Sequence, residues 1–383
     1  MLSKALNICL LAMLSLLLGC QASDLAEPNN SIALEEEQLL ARYQAEQAQL
    51  DQEIAAIEAE EIGTSRSTVT LEAGSVDGLQ NAIDQAGPGG TVVLESGDHF
   101  ESGTVLIEHQ ISIVGEEDAR LVFETDPIEV LGFIEPALHF KNAPRSRVRG
   151  VVMEVSTEVG GAAIVLEDSD RTVITRNVIS EYQFGILVQN SDFIYAIRNE
   201  IAASTLWQSQ TIIVQSFGVV VANGSRARIY SNELSGGITG VWACDRLGNI
   251  AGNEFFGNLQ GIILCKVPEE YSYLLPDGQL VAAESSATRW SVFNNDAHNN
   301  IFYGYQIIDG AIDNFLVKNQ ASNNGNGDYE FAGETTRFML INPSPTSETN
   351  IAWIDNKNTY LDCGLDNNIF GGIEMDNTGD ACF

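Results

Sequence analysis

Positive charge is what this chain has least of. Nineteen Lys and Arg, only five of them Lys, face 53 Asp and Glu over 383 residues, for a net charge of −34. Such a surface repels nucleic acid and other polyanions, which excludes partners of that kind unless a cation intervenes. Six cysteines occur without a Cys-x-x-Cys pair or a histidine nearby, so no zinc ribbon or dithiol redox motif is present. No apolar run reaches the roughly 20 residues that a membrane span needs; the stretch from Ala5 to Leu18 is shorter. Gly and Pro are missing from Ser31 to Ile62. The Glu, Gln, Ala and Leu that fill that segment are good helix formers.

Self-similarity is what the chain has in abundance. Five segments set a glycine before a short apolar run: Gly185-Ile-Leu-Val-Gln-Asn190, Gly218-Val-Val-Val-Ala-Asn223, Gly240-Val-Trp-Ala-Cys-Asp245, Gly261-Ile-Ile-Leu-Cys-Lys266 and Gly304-Tyr-Gln-Ile-Ile-Asp309. The glycines lie 33, 22, 21 and 43 residues apart, which is one period of about 21–22 residues with two interruptions. That period marks a solenoid, in which each turn buries its apolar side only against its neighbours. Strand alternation turns the first and third positions after each glycine inward. The fifth position, Asn190, Asn223, Asp245, Lys266 and Asp309, forms a polar file where the chain corners. Just before the rung asparagines, Ile174, Ile197, Ile229 and Ile250 are expected to form a second buried stack. Asn177, Asn199, Asn232 and Asn253 are expected at corners, because Asn tolerates the left-handed turn and its amide can ladder.

The solenoid starts with a strand at Thr68 to Leu71 and a short helix in which Leu79, Ala82, Ile83 and Ala86 share one face. Ser75 is placed to cap that helix, and Gly87-Pro88 stops it. This opening, Gly78-Leu-Gln-Asn-Ala-Ile-Asp84 through Pro88-Gly-Gly-Thr-Val-Val-Leu94 to Ile111-Ser-Ile-Val-Gly115, resembles the N-terminal cap of pectin lyase-like right-handed parallel β-helix proteins. The rungs Asn177 to Gly185, Asn232 to Gly240 and Asn253 to Gly261 resemble the generic repeat of that superfamily. The resemblance covers about Thr68 to Gly372 and implies an all-β, single-stranded right-handed parallel β-helix with a capping helix. The superfamily mixes lyases, hydrolases, epimerases, adhesins and non-catalytic proteins, so the resemblance implies a fold more than an activity.

Residues 1–19 have the build of a signal peptide, with Lys4 as the charged start and Ala5 to Leu18 as the apolar stretch. Leu17-Leu18-Gly19-Cys20 resembles the lipobox of bacterial lipoproteins, which implies an acylated (palmitate-type) Cys20 after cleavage and an outer-membrane anchor on the periplasmic or surface side. Residues 20–30 are then a tether, residues 31–67 an acidic helical stalk and hinge, and residues 68–383 the β-helix. Export to an oxidising compartment makes Cys244 with Cys265, and Cys363 with Cys382, the expected disulfides. Cys244 and Cys265 recur at one place in successive repeats, which puts them on adjacent strands.

The interruptions are the places to look for function, since solenoid insertions cluster on a binding face. Ala202 to Gln215 carries Trp207; Val267 to Trp290 carries Tyr271, Tyr273 and Trp290. Between them runs an outward apolar row, Leu187, Val220, Trp242 and Ile263. Two readings stand: a sugar-binding platform of Trp207, Trp242, Trp290, Tyr271 and Tyr273, or loops that fold down and bury the row. Glu200, Glu233 and Glu254 follow the corner asparagines and should stack, where they would raise one another's pKa or recruit a cation such as Ca2+. Asp296 and His298, two apart, form a possible acid/base dyad near Tyr303 and Tyr305. The catalytic candidates are therefore Glu233, Glu254, Asp296 and His298, and no other metal or cofactor is implied. The expected function is an envelope-anchored protein that binds, and by lyase or glycoside hydrolase chemistry processes, a polysaccharide. The alternative is a non-catalytic scaffold or adhesin presenting loops to an envelope protein.

Overall fold

The computed structural model describes residues 29–59, 67–126, 133–204, 206–208, 211–214, 216–265, 274–279, 281, 286–308, 310–331, 337–338, 342–343 and 347–375. Cys20, Tyr271, Tyr273, Lys266, Asp309 and Cys382 lie outside them. The chain divides into two compact units, Met1–Gly63 and Thr64–Phe383. In the first, helix α1 spans Asn29–Ala59, as the run without Gly or Pro predicts. Pairs four residues apart lace its surface: Arg42 with Glu46 at 2.8 Å, Gln47 with Asp51 and Gln49 with Glu53 both at 2.9 Å. No helix among the described residues is long and apolar enough to cross a membrane.

The second unit is a parallel coil with three faces. One rung shows the pattern: Val173–Thr175 on the first face, Val178–Ser180 on the second, Tyr182–Gln189 on the third. Tyr195–Ile197 then returns to the first face, directly over Val173–Thr175. The second face alone carries nine strands, from Gly97–Glu101 to Gln320–Ser322. Two short antiparallel hairpins interrupt the parallel pairing, Leu206–Gln208 with Thr211–Val214 and Arg337–Phe338 with Asn342–Pro343. The first of these is the insertion that carries Trp207.

The repeat glycines stack, and they do so for want of room. A Cβ on Gly185 would sit 2.5 Å from the Gly218 carbonyl oxygen; on Gly218, 2.5 Å from that of Gly240; on Gly261, 2.5 Å from that of Gly304. The rungs from Gly185 to Gly304 therefore bring backbone against backbone at this point, where glycine fits, while Ala163 and Asp328 take the position on the rungs to either side. The inward positions behave as alternation predicts: Ile186, Val219, Val241, Ile262 and Tyr305 are all buried in one continuous core. The first-face file is corrected at one place. Ala196, and not Ile197, stands between Ile174 and Ile229.

The corner asparagines form a buried ladder. Asn177, Asn199, Asn232, Asn253, Asn295 and Asn319 follow one another, each side-chain amide donating to the next Oδ1 at 2.9–3.0 Å. Each Oδ1 also accepts the backbone N–H of the asparagine before it, as Asn232 Oδ1 does from Asn199 at 2.9 Å. The left-handed residue is not the asparagine but its predecessor: Arg176, Arg198, Ser231 and Gly252 have the positive φ. Further ladders, absent from the sequence reading, run through Asn258, Asn300 and Asn324 and through Asn314, Asn350 and Asn367.

The capping helix α2, Leu79–Ala86, buries the four expected residues and ends at Gly87. Its cap differs from the expected one. Ser75 Oγ pairs with His99 Nδ1 at 3.0 Å, and the first helical N–H, of Leu79, donates to Glu101 Oε1 at 2.8 Å. A carboxylate from the next coil suits the positive end of the helix dipole better than a neutral hydroxyl. The ladder generates a prediction. Asn232→Ala strands two donors and two acceptors on neighbouring rungs, so stability should fall on the order of 3 kcal/mol or more, read as a lower urea midpoint. A midpoint within experimental error of the parent's would contradict the ladder's structural role.

Candidate functional sites on the second and third faces

Register on the second face gathers the candidate carboxylates. Glu200, Glu233, Glu254, Asp296 and Gln320 are successive Cα partners on five parallel strands. Parallel strands lie about 4.8 Å apart, so four acidic groups make one column on the outer surface. Partial desolvation, and then the charges of Glu200 and Glu254, push the Glu233 carboxyl above the ordinary glutamate range. His298 occupies the next outward column. Its Nε2 stands 2.9 Å from Glu254 Oε1, its ring stacks on Phe256 at 5.7 Å, and its Nδ1 meets the Asn299 amide at 2.8 Å. Glu233, Glu254, Asp296 and His298 are therefore brought together as one group. Tyr303 and Tyr305 stay apart from them: Tyr305 is buried inward, stacked on Tyr329 at 4.7 Å. Among the described residues no three or more His, Cys, Asp or Glu side chains converge to hold a metal ion.

The third face resolves the two readings of the apolar row. Leu187, Val220, Trp242 and Ile263 are buried, with Phe184, Phe217, Leu259, Leu275 and Val281, in a satellite core outside the coil. Leu275 and Val281 come from the second insertion, which reaches back across the rungs: Ile134 N–H donates to the Leu274 carbonyl at 2.8 Å. Trp242 therefore forms no exposed platform. Trp290 is corrected too; it lies fully buried in the main core, where Gly248 on the preceding rung leaves space for the indole. Trp207 lies on the first hairpin strand.

For Cys244 and Cys265 the placement is right and the bonding is not. The Sγ atoms of Cys244 and Cys265 stand 3.7 Å apart on adjacent rungs as thiols, and Trp242 Nε1 donates to Cys265 Sγ. Cys363 is disulfide-bonded.

Both ends of the satellite core are polar, a feature that sequence reasoning missed. At one end His139 Nε2 meets Glu167 Oε2 at 2.9 Å, and Lys141 bridges Glu167 at 3.1 Å and Asp277 at 2.6 Å. Burial is the larger influence on His139 and lowers its pKa, so the imidazole is neutral and donates to the carboxylate. Twenty-eight residues separate His139 from Glu167, outside the 22-residue period, so no repeat pattern pairs them. At the other end the row continues from Ile263 into Gln306 and Glu330. Gln306 Nε2 donates to Glu330 Oε2, while Gln306 Oε1 and the nearby Gln260 Oε1 have no hydrogen-bond partner.

Burial pushes the Glu330 carboxyl up to about 7. Its folded value lies above its unfolded one, so its contribution is fully present below the unfolded value and is lost as pH rises through about 7. Glu330→Gln should match the parent at pH 4 and exceed it at pH 8 by on the order of 3 kcal/mol, as thermal melting across pH would show. An equal difference at both pH values would contradict a buried ionising carboxyl.

Residues 145–324 match the family model described as a right handed beta helix region. No curated protein matches the sequence. Among solved structures, an alginate lyase from Paenibacillus sp. str. FPU-7 is similar at 14% identity and TM-score 0.45, over 81% of this chain and 99% of that one. The pectate lyase Pel9A is similar at 9% identity and TM-score 0.47, over 83% of this chain and 80% of that one. PfbA, a surface adhesin of Streptococcus pneumoniae, is similar at 12% identity and TM-score 0.47, over 80% of this chain and 93% of that one. With its coiled parallel strands, corner asparagines and capping helix, the body of this chain is a right-handed parallel β-helix.

Proposed function

We propose that this protein binds a neutral polysaccharide along its second face and hydrolyses it at Glu233 and Glu254. The observation that carries the reading is the column of carboxylates with His298 bonded to its third member at 2.9 Å. Side chains on adjacent strands at about 4.8 Å are near the 5–5.5 Å that retaining glycosidases use between their two carboxyl groups. Glu233, whose pKa is raised by partial desolvation and the neighbouring carboxylates, is the member suited to give a proton to the glycosidic oxygen. Glu254, hydrogen-bonded to the His298 imidazole, is the nucleophile that attacks the anomeric carbon as the glycosidic oxygen leaves with the Glu233 proton, and water then hydrolyses the glycosyl ester. A net charge of −34 selects an uncharged chain as the substrate.

A second reading, a non-catalytic scaffold or adhesin, is favoured by the burial of Trp242 and Trp290. The two separate in one experiment. Against a panel of neutral glycans, new reducing ends should form with a bell-shaped pH profile, and Glu233→Gln and Glu254→Gln should each lower the rate at least a hundredfold. Retention of a glycan without new reducing ends supports the scaffold; neither retention nor cleavage overturns the glycan reading.

We also propose that Cys20 carries the lipid that holds the protein at the outer membrane, on the strength of Leu17-Leu18-Gly19-Cys20. Radiolabelled palmitate should enter the full chain expressed in a Gram-negative host, and Cys20→Ala should abolish both the label and membrane association. Label retained by Cys20→Ala would contradict the anchor.

A further inference from the structure

An asparagine followed by a glycine is a chemically fragile pair. The side-chain carboxamide carbon can close a five-membered ring on the next backbone nitrogen, and glycine sets no Cβ in the way of that approach. The chain has three such pairs, Asn223-Gly224, Asn324-Gly325 and Asn326-Gly327. Sequence alone gives them one reactivity. The fold separates them.

Two of the pairs are held at both ends of the ring they would have to close. Asn223 Nδ2 donates to Asn190 Oδ1 at 2.6 Å, and the N–H of the buried Gly224 donates to Asp245 Oδ2 at 3.0 Å. Asn324 ends the ladder that begins at Asn258. Its Oδ1 accepts the Asn300 side-chain amide at 2.9 Å and the Asn300 backbone N–H at 3.1 Å. Its Nδ2 donates to the Ala297 carbonyl at 2.9 Å and to Asp328 Oδ1 at 3.3 Å, and the Gly325 N–H donates to the Asn300 carbonyl at 3.0 Å. In both pairs the carboxamide cannot turn onto the next nitrogen until these bonds open.

Asn326 has no such restraint. It is exposed, and among the described residues its side chain makes no hydrogen bond; only its backbone N–H is engaged, by the Phe302 carbonyl at 2.9 Å. Its neighbour, by contrast, is fixed as glycine. Gly327 has φ 150°, and a Cβ there would lie 2.9 Å from Met375 Cε. The corner thus demands glycine at 327 and leaves the asparagine before it free to react.

We propose that Asn326 is a site of spontaneous deamidation in the folded protein. The Gly327 nitrogen loses its proton to hydroxide and attacks the Asn326 carboxamide carbon. Ammonia leaves, taking its third proton from water, and a succinimide ring remains. Water then opens the ring at one of its two carbonyls. Opening at the side-chain carbonyl gives aspartate; opening at the main-chain carbonyl gives isoaspartate, with the chain running through the former side chain. The net change is water in and ammonia out, with no oxidant or reductant. Either product carries a new negative charge, and isoaspartate also lengthens the backbone by one methylene. That insertion falls directly before strand Gly327–Phe331, whose register with Tyr303–Ile307 sets Glu330 beside Gln306.

The test is to incubate the full chain in heavy-oxygen water at mildly alkaline pH, digest it with trypsin in ordinary water and sequence the peptides by tandem mass spectrometry. Cleavage after Lys318 and Arg337 puts Asn324 and Asn326 in one peptide, and cleavage after Arg198 and Arg226 isolates Asn223. Heavy oxygen should enter residue 326 at least about tenfold faster than residue 223 or 324, since those two must first open. In urea the three rates should draw together, because only the fold distinguishes them. Asn326→Gln should remove the fast label and leave the two slow sites unchanged, since glutamine would have to close a larger ring. Equal labelling of the three sites in the folded chain, or faster labelling at 223 or 324, would overturn the proposal. So would a folded chain that keeps residue 326 as asparagine while the unfolded chain loses it.

Discussion

The backbone hydrogen bonds between successive coils are the constraint on which everything else rests. Apart from the two short hairpins, each described strand of the body finds its partners in the rung before and the rung after, so any corner must return the chain to register within one turn. Side chains complete that register wherever the backbone leaves a group over. The asparagine ladder does this at the corner between the first and second faces, taking one backbone N–H and one carbonyl per rung. The glycine file does it by absence, letting carbonyls approach where a Cβ would strike them at 2.5 Å. Buried polar groups of this kind are costly when half satisfied and specifying when complete. The six-membered ladder is complete along its interior.

Strict register has a chemical consequence. A residue type that recurs once per period becomes a column of identical groups a strand spacing apart, which no other fold supplies so cheaply. On the second face the result is four stacked acids with a histidine against the third, where partial desolvation and then the neighbouring charges raise the Glu233 pKa. On the corner between the third and first faces Arg171 and Arg226 pack against the Phe193 ring.

Much of the fold could be read from the repeat. The glycine period located the coils, the Asn-to-Gly spacing located corners, and the α2 pattern Leu79, Ala82, Ile83 and Ala86 matched the buried face. The acidic column was half legible. Glu200, Glu233 and Glu254 follow ladder asparagines one rung apart in sequence; Asp296 follows Asn295, which lies 42 residues after Asn253, so the sequence sets it apart as a separate dyad. What failed did so for physical reasons. An outward apolar row looks the same in sequence whether water or an inserted loop covers it, so the burial of Trp242 had no local signal. Trp290 turned inward because Gly248, a full rung earlier, makes the space. Long-range pairs outside the period, such as His139 with Glu167, are invisible to any argument from repeats.

The most direct test of the account is a distance across the coil. Glu200 and Gln320 are 120 residues apart in the chain, yet four register steps along one face separate them. Spin labels at the two positions, read by electron–electron dipolar spectroscopy, should give one narrow distribution near 19 Å, four strand spacings of about 4.8 Å. A broad distribution, or a mean displaced by a strand spacing or more beyond the reach of the labels, would show that the files are not aligned and would contradict the account.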